Sequence, residues 1–130
     1  MATRSFPATL AAGALAGAFL SIAVSTAALA DAAPVTQKGK ASYYSDRFQG
    51  ALTASGTPFD QQALTAAHLT LPMGTKVKVT RPDTGKSVKV VINDRGPYVR
   101  GRIIDLSKRA ARKLEFIERG VTKVKVTVLD

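Results

Sequence analysis

Thr75-Lys76-Val77-Lys78-Val79-Thr80 alternates polar and apolar side chains at a period of two, and Ser87-Val88-Lys89-Val90-Val91-Ile92 resumes the pattern after Asp83-Thr84-Gly85. A period of two puts Val77 and Val79 on one face of an extended chain, as in a strand buried on one side. Gly85 is free to take positive φ at the turn, so residues 75–92 read as a β-hairpin. Thr122-Lys-Val-Lys-Val-Thr-Val128 repeats the alternation near the C-terminus. Outward from these segments, residues 40–44 and 101–104 read as further short strands. Residues 48–58, rich in Gly, Ser and Thr, read as a long loop, where functional groups often sit. Asp60 is placed to cap a short helix running from Gln61 to about Ala67. Ser107 or Asp105 is placed to cap a second, over residues 106–116, with Ala110, Ala111 and Leu114 as its apolar stripe. Lys108, Arg109, Arg112 and Lys113 then fall on its solvated faces. Short strands, long loops and little helix predict a mainly β fold, a compact barrel. Repeats of solenoid length, a P-loop and a dinucleotide-binding glycine pattern are all absent from the sequence.

The chain has 130 residues, with 19 Lys+Arg against 9 Asp+Glu and a formal net charge of +10. That length predicts one domain. It contains no Cys, which excludes a disulfide scaffold, a thiol nucleophile, a thiolate metal site and a lipid-modified N-terminal cysteine. With one His, a His-rich metal site is excluded as well, and neither a metal nor a cofactor is expected. Residues 1–30 begin with a single charge, Arg4, continue through an apolar, Ala-rich stretch and end in Ala28-Leu29-Ala30. Those features predict a secretory signal peptide. The uncharged stretch is long enough to span a bilayer as an anchor, but its small residues are weakly apolar and favour cleavage. The predicted organisation is a signal peptide over residues 1–30, a polar linker over 31–38 and a barrel domain over 39–130. Cleavage removes one basic side chain and no acidic one, so the exported domain keeps nearly all of the charge. Such a charge attracts anionic partners through long-range, salt-sensitive forces, or serves solubility alone. Nucleic acid is the usual inference, but export turns the expectation to envelope polymers such as peptidoglycan, with its peptide carboxylates. The protein is expected to be a monomer, periplasmic or secreted, not a lipoprotein, with no nucleic-acid partner and no stable membrane insertion after cleavage.

Neither a nucleophile elbow nor a Ser-His-Asp set can be assembled, which leaves carboxylate chemistry. Asp94 follows the Val-rich strand within Asn93-Asp94-Arg95-Gly96-Pro97-Tyr98, and Asp105 ends the Ile103-Ile104 strand. A carboxyl held rigidly at the end of a buried strand, beside an apolar wall, is placed where it can become a proton donor. Spacing alone also fits plainer roles: Asp94 as a turn residue pairing with Arg95, Asp105 as a helix cap, and His68 as a loop histidine with a structural hydrogen bond.

Seven strings occur in one order: Gly39-Lys-Ala-Ser-Tyr-Tyr44, Thr53-Ala-Ser-Gly56, Phe59-Asp60, Ala63-Leu-Thr-Ala-Ala-His68, Leu71-Pro72-Met-Gly-Thr75, Val91-Ile-Asn-Asp-Arg-Gly-Pro97 and Gly101-Arg-Ile-Ile-Asp-Leu-Ser107. Together, over roughly residues 39–129, they resemble the RlpA-like (rare lipoprotein A) proteins of bacteria. The resemblance implies a six-stranded double-psi β-barrel with one or two short helices, related to expansins, barwin and glycoside hydrolase family 45. It implies a lytic transglycosylase that cleaves peptidoglycan between N-acetylmuramic acid and N-acetylglucosamine and leaves a 1,6-anhydro end, some members preferring strands stripped of peptide. By the same resemblance Asp94 is the acid/base, His68 the site histidine and Asp105 the alternative catalyst. Tyr44, Asp60, Arg95 and Tyr98 become candidate substrate-binding residues, with core packing the other role open to the tyrosines and helix capping the other role open to Asp60. Two departures stand out. Ser55-Gly56-Thr57 replaces the Asn-Gly-Glu usual in active relatives, and Thr57 cannot act as acid or base. The lipoprotein cysteine and C-terminal glycan-binding domain of full-length members have no counterpart, so targeting to the division septum is not implied. The rival expectation is an expansin-like module that binds or loosens wall glycan without cutting it; a barwin-like interaction protein is a third.

Overall fold

Six strands close into a barrel in the computed structural model, which describes residues 35–129. The predicted signal peptide and the first part of the predicted linker lie outside the described residues. In chain order the strands are β1 (Thr36–Tyr43), β2 (Thr65–His68), β3 (Lys76–Thr80), β4 (Ser87–Asp94), β5 (Arg102–Leu106) and β6 (Thr122–Val128). Helix α1 (Lys108–Lys113) lies between β5 and β6. Around the barrel the order is β1-β5-β2-β4-β3-β6, with β6 pairing back onto β1. The β1–β5 and β2–β4 pairs are parallel; the remaining four are antiparallel.

The alternation read from the sequence fills the interior. Val77, Val79, Val88, Val90, Ile92, Val124 and Val126 are buried inside the barrel with Ile104 and Leu106, while the intervening lysines point outward. Ala110 and Ala111 of α1, with Leu114 and Phe116, join the same core. Ser107 caps α1, its Oγ accepting from the Ala110 N–H at 3.3 Å. At the other end of the helix Arg81, only 4% exposed, donates to the carbonyls of Leu114 (2.8 Å) and Glu115 (3.0 Å) and pairs with Asp83. A guanidinium from the β3–β4 hairpin thus satisfies carbonyls that the helix leaves without partners.

Three expectations are corrected. Residues 65–68 form β2, not helix: Asp60 Oδ1 accepts from Gln62 N at 2.9 Å and caps only a turn. β2 is held between β4 and β5, and that pairing overrides the helical leaning of the Ala-rich segment. The predicted linker ends early, because β1 begins at Thr36 and runs antiparallel to β6 from Thr36↔Thr127 to Ala41↔Thr122. The helix expected over residues 106–116 is shorter, since Leu106 still belongs to β5.

Two parallel pairings carry an extra residue. Lys40 faces Arg102 while Ala41 faces Ile104, leaving Ile103 unpaired in β5. Ala66 faces Ile92 while Ala67 faces Asp94, leaving Asn93 unpaired in β4. Each extra residue is a bulge that reverses which face the following side chains take. The Ile103 bulge lies against Gly39, where a Cβ would come within 2.6 Å of Ile103 Cγ2. Overpacking at such a contact costs about 1–3 kcal/mol. Gly39→Ala is therefore expected to lower stability by that amount in urea titrations, and to cost less when introduced into Ile103→Ala than into wild type.

Candidate active site

Cross-strand register lines up four residues from four neighbouring strands. Ser42 of β1 faces Asp105 of β5, Asp105 faces Ala67 of β2, and Ala67 faces Asp94 of β4. The two aspartates thus flank one alanine at two strand spacings, roughly 9–10 Å between backbones. Strict alternation after Val88, Val90 and Ile92 would turn Asp94 toward the core. The bulge at Asn93 turns it outward instead, onto the face that carries Ala67 and Asp105.

A groove of about 590 Å³ opens over this row, with Ala67, Asp94 and Asp105 among its lining residues. Tyr44, Phe48 and Phe59 form an aromatic wall, with the Tyr44 and Phe59 rings stacked at 4.0 Å between centroids and Phe48 edge-on to Tyr44. Leu52 (75% exposed) and Tyr98 (81% exposed) are groove residues that stay open to solvent.

Asp94 is held at both oxygens. Oδ1 accepts from the backbone N–H groups of Ala54 and Arg95, both at 2.9 Å, and Oδ2 accepts from the Tyr44 hydroxyl at 2.6 Å. Burial first, and then the hydrogen bond and charge of Asp94 with the charge of Asp105, push the Tyr44 phenol well above its ordinary value. Tyr44 therefore remains a donor at any physiological pH. The expected Asp94–Arg95 side-chain pair does not form: the Arg95 guanidinium donates to the carbonyls of His68 (3.1 Å) and Leu71 (2.7 Å). The 53–57 loop is tied to β4 through Ser55 N–H and the Asn93 carbonyl at 3.1 Å. Thr57 lies in a hydroxyl cluster with Thr53 and Ser55.

Asp105 has a different setting. Its Oδ1 accepts from Arg102 at 2.8 Å and from the Ser42 hydroxyl. The Ile103 bulge makes this possible, because it places Arg102 on the outward face with Asp105. Oδ2 of Asp105 has no hydrogen-bond partner among the described residues.

Of the residues singled out in the sequence, Tyr44, Asp94, Arg95, Tyr98 and Asp105 meet at the groove, while His68 and Asp60 are not among its lining residues. His68 is 3% exposed; its Nδ1 accepts from the Thr70 and Leu71 N–H groups, both at 3.1 Å, so Nε2 carries the proton and donates to Gln37 Oε1 at 2.8 Å. The ring shapes the turn whose carbonyls hold Arg95. Sequence reading missed Gln61, a buried residue whose side chain donates to the Tyr44 carbonyl (2.8 Å) and to Asp46 (3.2 Å) and accepts from Lys108 N (2.8 Å). Ser42, Ala67 and Arg102 were missed too; only the register reveals them.

A closed six-stranded barrel with two parallel pairs and a carboxylate-bearing groove defines a double-psi β-barrel protein. The family described as lytic transglycolase matches residues 36–126, and the chain belongs to it. It is 49% identical over 94 residues to the endolytic peptidoglycan transglycosylase RlpA of Vibrio cholerae, a match covering 72% of this chain and 36% of the relative. The corresponding protein of Pseudomonas aeruginosa is 48% identical over 100 residues, covering 77% of this chain and 29% of the relative. The chain thus spans about a third of the length of these curated relatives. Among solved structures, the Streptomyces papain inhibitor matches at a TM-score of 0.59 with 29% identity, covering 74% of this chain and 96% of that one. The expansin of Clavibacter michiganensis matches at 0.58 with 25% identity, covering 74% and 51%.

Burial, and then the charge of Arg95, hold the His68 imidazole below its ordinary value. The unfolded chain takes up a proton at this histidine as pH falls through about 6.5, and the folded chain only at lower pH. Stability is therefore lost on acidification through that window. The thermal midpoint is expected to fall between pH 7.5 and 5.5, and this slope should flatten in His68→Gln when both proteins are scanned by calorimetry; an unchanged slope would show that His68 does not carry it.

Proposed function

We propose that the protein is an exported lytic transglycosylase of peptidoglycan in which Asp94 serves as both acid and base. The observation that carries this reading is the seating of Asp94 in the groove lining, with Oδ2 beside Tyr44 and Oδ1 committed to two backbone donors. The transferable proton is assigned to Oδ2, the oxygen beside the Tyr44 hydroxyl. It passes to the glycosidic oxygen as the C1–O bond of the muramyl residue breaks and positive charge develops at C1. The Asp94 carboxylate then takes the proton of that sugar's C6 hydroxyl, whose oxygen closes on C1 to form the 1,6-anhydro ring. No water enters, and the aspartate ends protonated as it began. Two-carboxylate hydrolases need a second group to bring in water or to form a covalent bond; this reaction does not.

The other residues take supporting roles. Tyr44 orients Oδ2. Asp105, anchored by Arg102 and Ser42, offers Oδ2 to a sugar hydroxyl. Leu52 and Tyr98 cover pyranose faces. His68 and Gln61 are positioning residues that act through Arg95 and Tyr44. The names of the relatives support the substrate class.

One observation favours a second reading, an expansin-like module that grips glycan without cutting it: Thr57 brings a hydroxyl, not a carboxyl, to the loop that is tied to the Asp94 strand. Incubation with purified peptidoglycan, intact and peptide-stripped, separates the two by mass spectrometry of the released material. The transglycosylase reading expects anhydro-ended fragments, lost by roughly 10²–10⁴-fold in Asp94→Asn with glycan binding retained. Tyr44→Phe is expected to lower kcat more than it raises KM. Binding without product would leave the expansin-like reading, and full activity in Asp94→Asn would move the acid role to Asp105.

A further inference from the structure

The groove leaves the most highly charged wall of the barrel unused. In the strand order, β3 and β6 lie directly across the barrel from β5 and β2, which carry the groove floor. Register sets Lys38 opposite Lys125, Lys40 opposite Lys123, and Lys78 opposite Lys89. All six are exposed, and among the described residues none of them forms an ion pair. Like charges directly opposite on neighbouring strands destabilise a sheet, and here three such pairs are adjacent. Around the first two pairs the surface is concave: Lys38, Lys40, Lys123 and Lys125 surround a hollow of about 550 Å³ whose lining includes Gly39, Gly101 and Thr80 but no acidic residue.

We infer that this four-lysine hollow, with the Lys78–Lys89 pair beside it, is a second polymer-binding site, one that takes the carboxylates of peptide stems on peptidoglycan. The inference rests on the reading of peptidoglycan as the substrate. Three features select this ligand. The cations are all lysines, mobile point charges suited to carboxylates spread along flexible peptides, and not the guanidinium forks that bind phosphates in fixed two-pronged geometry. No exposed aromatic side chain lies within β1, β3, β4 or β6, so the face lacks the platforms on which nucleic-acid bases stack. The same strands expose no large apolar side chain, so the face lacks the wedge with which interfacial segments enter a bilayer. Hollow and groove adjoin, with Lys40 of the one opposite Arg102 of the other, yet share no lining residue, so one molecule bridges two strands. The glycan of one lies in the groove while the stems of its neighbour meet the lysines, and each contact raises the local concentration for the other. Stem-free and stem-bearing strands thereby have separate places on the same barrel.

The test compares wild type with Lys38→Gln/Lys40→Gln/Lys123→Gln/Lys125→Gln, four exposed substitutions whose folding is checked by circular dichroism. Co-sedimentation with peptide-bearing peptidoglycan at low salt is expected to weaken at least tenfold in the variant, with the wild-type difference shrinking at about 0.15 M salt. Binding to peptide-stripped glycan, and product release from it, should match wild type. Equal sedimentation of variant and wild type with the peptide-bearing polymer would overturn the inference. So would lysine-dependent binding of phosphatidylglycerol vesicles or duplex DNA as tight as that of peptidoglycan. If wild type releases no product from either polymer while the lysine dependence persists, the transglycosylase reading fails and the second site stands.

Discussion

One unpaired residue, Asn93, decides what the barrel offers to solvent. Up to Ile92, β4 obeys simple alternation, and every second side chain is buried. The extra residue shifts the phase, so that the next position presents a carboxylate outward over Ala67 and not into a core of valines. A charge in that core would have no partner and would cost several kcal/mol. The bulge thus keeps the fold stable and creates the site in the same step. A second bulge, at Ile103, does comparable work in β5 by placing Arg102 beside Asp105.

The surrounding polar groups hold these carboxylates by different means. Asp94 is bound by two backbone N–H groups and a phenol, none of them charged. Asp105 is bound by a guanidinium and a hydroxyl. Tyr44 is itself fixed by stacking on Phe59 and by Gln61 at its carbonyl, and Gln61 reaches the first N–H of α1. The chain of contacts ties the groove's aromatic wall to the helix, whose far end is capped by Arg81 from the opposite hairpin. Rigidity at the groove therefore has a source in the packing of the whole domain.

Much of this was legible in the sequence where the physics is local. The β3–β4 hairpin and β6 were read correctly because lysine–valine alternation is undisturbed there. β2 was misread because Thr65–His68 is short, Ala-rich and mostly buried, so it shows no alternation and looks helical until its two neighbours are known. Asp94 and Asp105 stand out by their place at strand ends and Tyr44 by family resemblance, and the three meet at the groove. Asp60 and His68 also came by resemblance, yet one caps a turn and the other spends both ring nitrogens on structural hydrogen bonds away from the groove lining. Ser42, Ala67 and Arg102 carry no local signal, because their place in the site comes from a register shared by four strands.

The bulge, the row it completes and the groove above it converge on one claim: that the side chain at position 94 meets the bond between two sugars. A crystal structure of Asp94→Asn bound to a stem-free oligomer of alternating N-acetylglucosamine and N-acetylmuramic acid tests this directly. The account predicts a glycosidic oxygen within about 2.6–3.2 Å of the position 94 side chain, above Ala67. A glycan seated elsewhere, or a side chain at 94 turned into the barrel, would contradict it.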